Sequence, residues 1–154
     1  MLEEGKKAPD FTLPGDGGDT IKLSAHKGAH VIVYFYPKDD TPGCTKEAIA
    51  FTNLLPEFAQ LGAKIIGISP DSVEKHDKFI AKHNLAIHLA ADESTKVAEK
   101  YGVWVEKSMY GRKYMGVERS TFLIDSKGKI AKIWRKVRVN GHAEAVLAAL
   151  KELT

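Results

Sequence analysis

The order of apolar segments predicts an α/β sandwich, with a mixed central β-sheet and helices on both faces. Three observations carry that expectation. Two continuous β-branched and aromatic runs, HVIVYFYP (30–37) and AKIIGISP (63–70), read as strands buried on both faces. Each is followed by a stretch of helical periodicity, which makes strand–helix–strand crossovers. Near the end, RSTFLID and KIAKIWRKV flank the SKG turn as a hairpin, and an amphipathic helix follows.

Each element has its own local reason. FTLPGDGGDTIKL reads as two short strands around a Gly-rich turn. After the first buried strand, a helix should run from about Pro42 to Leu61, with Ala48, Phe51, Leu55 and Phe58 on one face. Pro56 inside it predicts a kink or a break. Ser72 can cap the next helix, over roughly 73–84. AIHLAAD (86–92) reads as a short strand, and ESTKVAEKYG as a helix closed by Gly102. HAEAVLAALKEL (142–153) is the last helix, with His142 at its start. This order is that of a thioredoxin-like sandwich, and residues 1–154 read as one domain. At this length about 70% of the unfolded chain's surface is buried on folding, so neither a disulfide nor a structural metal is needed.

Composition narrows the function classes. The net charge is +3, and basic residues are mostly interleaved with acidic ones. The densest basic run, KIAKIWRKVRV from Lys129 to Val139, alternates as one solvated face of a strand, so no nucleic-acid partner is expected. No apolar run of about 18 residues exists, so no membrane span is expected. The opening MLEEGKKAPDF lacks the apolar core of a secretory signal, and a cytoplasmic location is the expectation. GDGGD (15–19) lacks the Lys-Ser/Thr of a phosphate-binding loop. Histidines 26, 30, 76, 83, 88 and 142 show no metal-ligand spacing, and no flavin, haem or nicotinamide site is visible. Trp104 and Trp134 read as packing residues.

The lone cysteine is the informative residue. It excludes an intrachain disulfide, a Cys-x-x-Cys pair and a multi-thiolate zinc site. In FYPKDDTPGCTKEA (35–48), Thr41 is a good N-cap and Pro42 a good first helical residue, which puts Cys44 in the first turn. Unpaired backbone N–H groups and the positive end of the helix dipole favour a thiolate at such a place. A single cysteine is otherwise most often a small buried hydrophobe, and Thr-Pro-Gly is ordinary turn chemistry. Position alone leaves the two readings about even.

The run PKDDTPGCTKE resembles the active-site loop of the peroxiredoxins, through Pro37, Thr41, Cys44 and Glu47. YFYPKDDTPGCTKEA is similar to the bacterioferritin-comigratory-protein or PrxQ branch. So are GKKAPDFTL, IIGISPDSVEKHDKFIAKHNL, YGVWVEKSMYGRKYMGVERSTFLID and GHAEAVL, which extend the likeness over nearly the whole chain. The resemblance implies a thiol-dependent peroxidase that reduces hydrogen peroxide and organic hydroperoxides through a sulfenic acid on Cys44. It implies that the Thr41 hydroxyl bonds sulfur and peroxide, and that Arg119 stabilises thiolate and developing oxygen charge. Pro37 would close the pocket against water, and Glu47 would orient Arg119 or the loop. Read without the resemblance, Arg119 is a strand-edge surface charge, Pro37 a strand terminator and Glu47 a carboxylate favoured by the helix dipole.

The chain departs from many members of that branch. The two positions at which a resolving cysteine occurs there match Ile49 and Ile80 here. The resemblance therefore implies regeneration by an external thiol, from a thioredoxin, a glutaredoxin or a small thiol, or through a Cys44–Cys44 disulfide between chains. A monomer or weak dimer is expected. Two other classes share the loop: a peroxide sensor that relays oxidation to a partner without efficient turnover, and a binding module with an inert thiol.

Overall fold

The computed structural model describes residues 2–154. The strands β1 (Thr12–Pro14) and β2 (Thr20–Lys22) pair antiparallel around a 3-10 turn at Asp16–Gly18. There Gly17 and Gly18 take positive φ, which their lack of a Cβ permits. β3 (Val31–Phe35) leads through α1 (Pro42–Gln60) to β4 (Lys64–Ser69), and β4 leads through α2 (Val73–His83) to β5 (His88–Ala91). After α3 (Lys96–Lys100) comes a hairpin of β6 (Trp104–Met109) and β7 (Arg112–Val117). β8 (Ser120–Ile124), β9 (Ile130–Trp134) and α4 (His142–Leu153) complete the order.

The central sheet runs β5-β4-β3-β8-β9. β3, β4 and β5 are parallel, as helical crossovers require, and β8 and β9 are antiparallel. Successive side chains of β3 go to opposite faces. Ile32, Tyr34 and Tyr36 pack with Phe51 and Phe58 of α1, Phe79 of α2, and Val146 and Leu150 of α4. Val31, Val33 and Phe35 pack with Leu13, Ile21, Val97 and Tyr101 on the other side. Both faces are thus covered, which explains why β3 and β4 read as unbroken apolar runs. Gly67 allows a close approach: a Cβ there would lie 2.7 Å from Tyr34 Cζ and 2.8 Å from Leu89 Cδ2. Those are its two neighbours across the parallel ladder.

Two features go beyond what periodicity indicated. α1 is not broken at Pro56 but runs on to Gln60. Pro56 is exposed, and the helix tolerates the one backbone bond it removes, from the Thr52 carbonyl. The β6–β7 hairpin is an element that periodicity did not indicate. Most of its residues are exposed or half-buried on both faces, so no apolar alternation marks it. Its signal is the turn: Tyr110 at φ 52 and Gly111 at φ 80 have the positive φ pair of a two-residue hairpin.

His142, the first residue of α4, is buried, with Nε2 2.7 Å from Thr121 Oγ1. The rings of Phe51 and Trp134 meet it edge-on at 6.1 and 5.7 Å. Burial, aided by the charge of Arg119, pushes its pKa down to about 4. A base whose folded pKa lies below its ordinary value contributes stability above that value and loses it as pH falls to the folded one. The expected window is therefore pH 6.5 down to about 4. Over it, His142→Gln should remove about 2 kcal/mol of the acid-induced loss seen in denaturant titrations.

Candidate active site

The Pro37–Thr41 loop joins the end of β3 to the start of α1, and each residue in it has a distinct anchor. Pro37 is half-buried at the head of the loop. Asp39 turns inward. Its N–H donates to Asp71 Oδ2 at 2.8 Å, and its carboxylate accepts from the Tyr36 hydroxyl at 2.5 Å and meets His76 Nδ1 at 2.6 Å. Asp40 turns outward at φ 60, where its carboxylate takes Lys82 Nζ at 2.7 Å and His83 Nε2 at 2.8 Å.

Thr41 and Pro42 open α1 at the N-cap and first helical positions, and Thr41 O accepts from Thr45 N–H at 2.8 Å. The Thr41 side chain does not cap the helix. Its hydroxyl donates instead to Lys38 O at 2.9 Å, a local bond that replaces the expected one.

Cys44 lies in the first turn of α1 and is 2% exposed. Glu47, three residues on, lies on the same helix face and is 1% exposed. Arg119, just before β8, reaches both. Its Nη2 donates to Cys44 Sγ at 3.3 Å, and its Nη1 to Glu47 Oε1 at 2.6 Å. The Arg119 backbone is fixed too, because its carbonyl accepts from Val137 N–H at 2.9 Å. Burial pushes the Glu47 carboxyl up to about 7, and Arg119 opposes that rise.

Gly43 makes the approach possible, since a Cβ there would stand 3.2 Å from Arg119 Nη2. Outside the contact lies an open groove of about 580 Å³, with Val105, Lys107, Tyr114, Arg119 and Val137 in its walls.

Arg119 touches both Cys44 and Glu47, and Pro37 and Thr41 lie in the loop that leads into α1. The Thr41 hydroxyl bonds Lys38 O rather than the sulfur that the resemblance implied. Sequence reasoning missed the buried group around Asp39. Ligand-type atoms of Asp39, Asp71 and His76 lie within 4.8 Å of one another. Yet His76 Nδ1 faces the Asp39 carboxylate and Nε2 faces the Ala90 carbonyl at 2.9 Å. Both partners are acceptors, so both ring nitrogens donate and neither keeps a lone pair for a metal ion. The available signal was the place of His76 on α2, three residues from Val73 and three from Phe79 on the inward face.

A thiol held against a fixed cation, on a sheet of this topology, points to the thiol-based redox proteins of thioredoxin-like fold. Residues 5–133 match the model of the AhpC/TSA family. Peroxiredoxin Bcp of Bacillus subtilis is 53% identical over 99% of this chain and 98% of its own length. The bacterioferritin comigratory protein of Xanthomonas campestris, solved in connection with its alkyl peroxide reduction activity, superposes with a TM-score of 0.91. It is 47% identical, over 97% of this chain and 98% of that one. A more distant structure, yeast mitochondrial 1-Cys peroxiredoxin, studied for thiol resolving through the glutathione/thioredoxin systems, gives a TM-score of 0.84 at 28% identity. That match covers 99% of this chain and 76% of the yeast one. The chain belongs to the AhpC/TSA family, as a one-cysteine peroxiredoxin of the Bcp/PrxQ branch. As a peroxiredoxin it is an oxidoreductase.

Because Arg119 is pinned between two partners, it cannot easily yield to a methyl group below it. Gly43→Ala should slow oxidation of Cys44 by hydrogen peroxide about ten-fold while the melting temperature stays within a few degrees, as stopped-flow and thermal scans would show.

Proposed function

We propose that Cys44 is the nucleophile of a thiol-dependent peroxidase that reduces hydrogen peroxide and organic hydroperoxides and is regenerated by an external thiol. The observation that carries the reading is the Arg119 bridge, 3.3 Å from Cys44 Sγ and 2.6 Å from Glu47 Oε1. In the first half-reaction a sulfur lone pair attacks one peroxide oxygen. The S–O bond forms as the O–O bond breaks, and the departing oxygen takes a proton to leave as water or an alcohol. Sulfur is oxidised by two electrons to sulfenic acid.

Arg119 has more N–H donors than its two contacts use, so a peroxide oxygen beside the sulfur can accept from the same guanidinium. A fixed cation at that point stabilises the charge that develops as the O–O bond breaks. Glu47 holds the guanidinium plane in place. The Thr41 hydroxyl, donating to Lys38 O, keeps oxygen lone pairs that can accept from the peroxide O–H. Pro37 shields the head of the loop. The groove is mixed, with Val105, Tyr114 and Val137 beside Glu106, Lys107, Glu118 and Lys136. The apolar three can meet an alkyl chain, in keeping with the alkyl peroxide reduction described for the Xanthomonas relative.

In the second half-reaction an external thiol attacks the sulfenic sulfur and releases water, forming a mixed disulfide. A second thiol attacks that disulfide, frees the Cys44 thiol and departs oxidised. The chain has no second cysteine, so both thiols come from outside. The yeast 1-Cys relative, studied for thiol resolving through glutathione/thioredoxin systems, supports a thioredoxin or a small thiol as donor, and a glutaredoxin would serve by the same exchange. No helix among the described residues is long and apolar enough to cross a membrane. We place the reaction in the cytoplasm, where reducing thiols are supplied, and it needs no second copy of the chain.

Intact mass against time, with hydrogen peroxide and a sulfenic-acid trap, tests the first half-reaction. Cys44→Ser should show no trapped product. Arg119→Ala should slow trapping about a hundred- to thousand-fold. Near-normal rates in the arginine variant would overturn the site assignment. Steady-state turnover with added dithiol tests the second half, and a single oxidation followed by a stall would point to a relay instead.

A further inference from the structure

A hydroperoxide is small enough to enter a closed pocket, but a thiol donor must bring a second sulfur to Cys44, which is 2% exposed. The first turn of α1 and the loop before it must therefore open for the second half-reaction. Loop position is set largely by one residue. Asp39 ties the loop to the end of β3 through Tyr36, to the segment after β4 through Asp71, and to α2 through His76. Asp71 is in turn held by the Ser69 hydroxyl at 2.7 Å. All five side chains are buried, and His76 is 0% exposed. The neighbouring Asp40 ties are exposed ion pairs, which contribute little.

We propose that the buried Asp39–His76 pair is the latch of the Pro37–Thr41 loop, holding the first turn of α1 closed over Cys44 and setting how often the sulfur is offered to a thiol donor. The proposal rests on the reading of Cys44 as a redox centre regenerated from outside. Asp39 and His76 touch neither sulfur nor Arg119, so both are positioning residues.

The latch is charged. His76 lies between the Asp39 carboxylate and the Ala90 carbonyl of β5, and both of its nitrogens donate. The Tyr36 hydroxyl, just past β3, stands 3.5 Å from Nδ1, and Asp71 adds a second negative charge nearby. Lys38, Lys75, Lys78 and Lys82 line the groove outside the acids. Loss of the His76 proton would set a nitrogen lone pair against an oxygen, so the neutral ring cannot satisfy both partners. Burial alone pushes the His76 pKa down, but Asp39, the Ala90 carbonyl and Asp71 more than reverse this and leave it above 6.5. A raised folded pKa makes the contribution complete below the ordinary value and lost as pH rises through the folded one. Opening should therefore become more frequent with rising pH.

Two rates on the reduced, full-length chain test this. Oxidation by hydrogen peroxide reports the closed pocket, and alkylation by a bulky polyethylene-glycol maleimide reports the open one. Both need thiolate, and the variants keep the same thiol and Arg119, so comparing their ratios with the wild type at each pH cancels its ionisation. In the wild type, the ratio of alkylation to oxidation should climb with pH. Asp39→Asn and His76→Gln should raise it about ten-fold or more at pH 6 and flatten its pH dependence, with the peroxide rate changed less than about three-fold. Tyr36→Phe removes one hydrogen bond, keeps the ring, and should raise the ratio by a smaller factor. It decides the matter if a polar variant fails to fold. An unchanged ratio in the folded variants, or a wild-type ratio independent of pH, would overturn the latch. A wild-type peroxide rate no faster than that of free cysteine would instead overturn the peroxidase reading, and alkylation alone would still decide the latch.

Discussion

Arg119 and Glu47 form an ion pair that is almost wholly out of water, and much of the architecture serves to keep it there. Two charges removed from solvent hold together only when their geometry is fixed from both sides. Here Glu47 is fixed by α1, whose Phe51 and Phe58 lie in the core beneath it. Arg119 is fixed by its position between β7 and β8 and by the bond from Val137. β8 lies directly beside β3, and β3 feeds the loop that starts α1, so the sheet order itself delivers the arginine to the helix. Gly43 then clears the last few tenths of an ångström. Cys44, on the same helix face as Glu47, receives the remaining arm of the guanidinium.

Much of this frame was legible because burial leaves periodic traces. β3 and β4 are buried on both faces, so their apolar runs could not be anything short and exposed. Ser72 does cap α2, accepting from Lys75 N–H at 3.2 Å. What escaped reading left only faint local traces. β6 and β7 are solvated on both faces, so their side chains obey no core-facing rhythm. The Thr41 hydroxyl chose between two nearby partners, and sequence does not rank a loop carbonyl against a helix N–H. His76 carried only its spacing from Val73 and Phe79, and its partners come from the loop, from Tyr36 just past β3 and from β5. Cys44 and Glu47 could be placed together from helix geometry alone. The arginine is 75 residues from the thiol, and only the family resemblance joined them.

In the proposed cycle the site has to satisfy two opposed demands. Peroxide chemistry favours a dry pocket with a rigid cation, because fixed charges act most strongly where water is excluded. Exchange with an outside thiol favours exposure. A chain with a second cysteine can meet the second demand internally, whereas the cycle proposed for this one depends on access. A loop fastened by a few buried polar contacts, rather than by broad apolar packing, suits such a compromise. Polar contacts of this kind break together, because a partly satisfied buried network is worse than none.

The β6–β7 hairpin has a separate significance. It forms its own two-stranded sheet, joined to the body at Trp104 and Val117, while Tyr110 at its tip is 99% exposed. Yet Val105, Lys107 and Tyr114 from this hairpin wall the groove beside Arg119. The approach to the thiol is thus shaped by a part that the central sheet can do without. Substitutions there meet few packing constraints, so the shape and charge of the groove beside Arg119 can drift over evolutionary time while the foundation of the fold stays still.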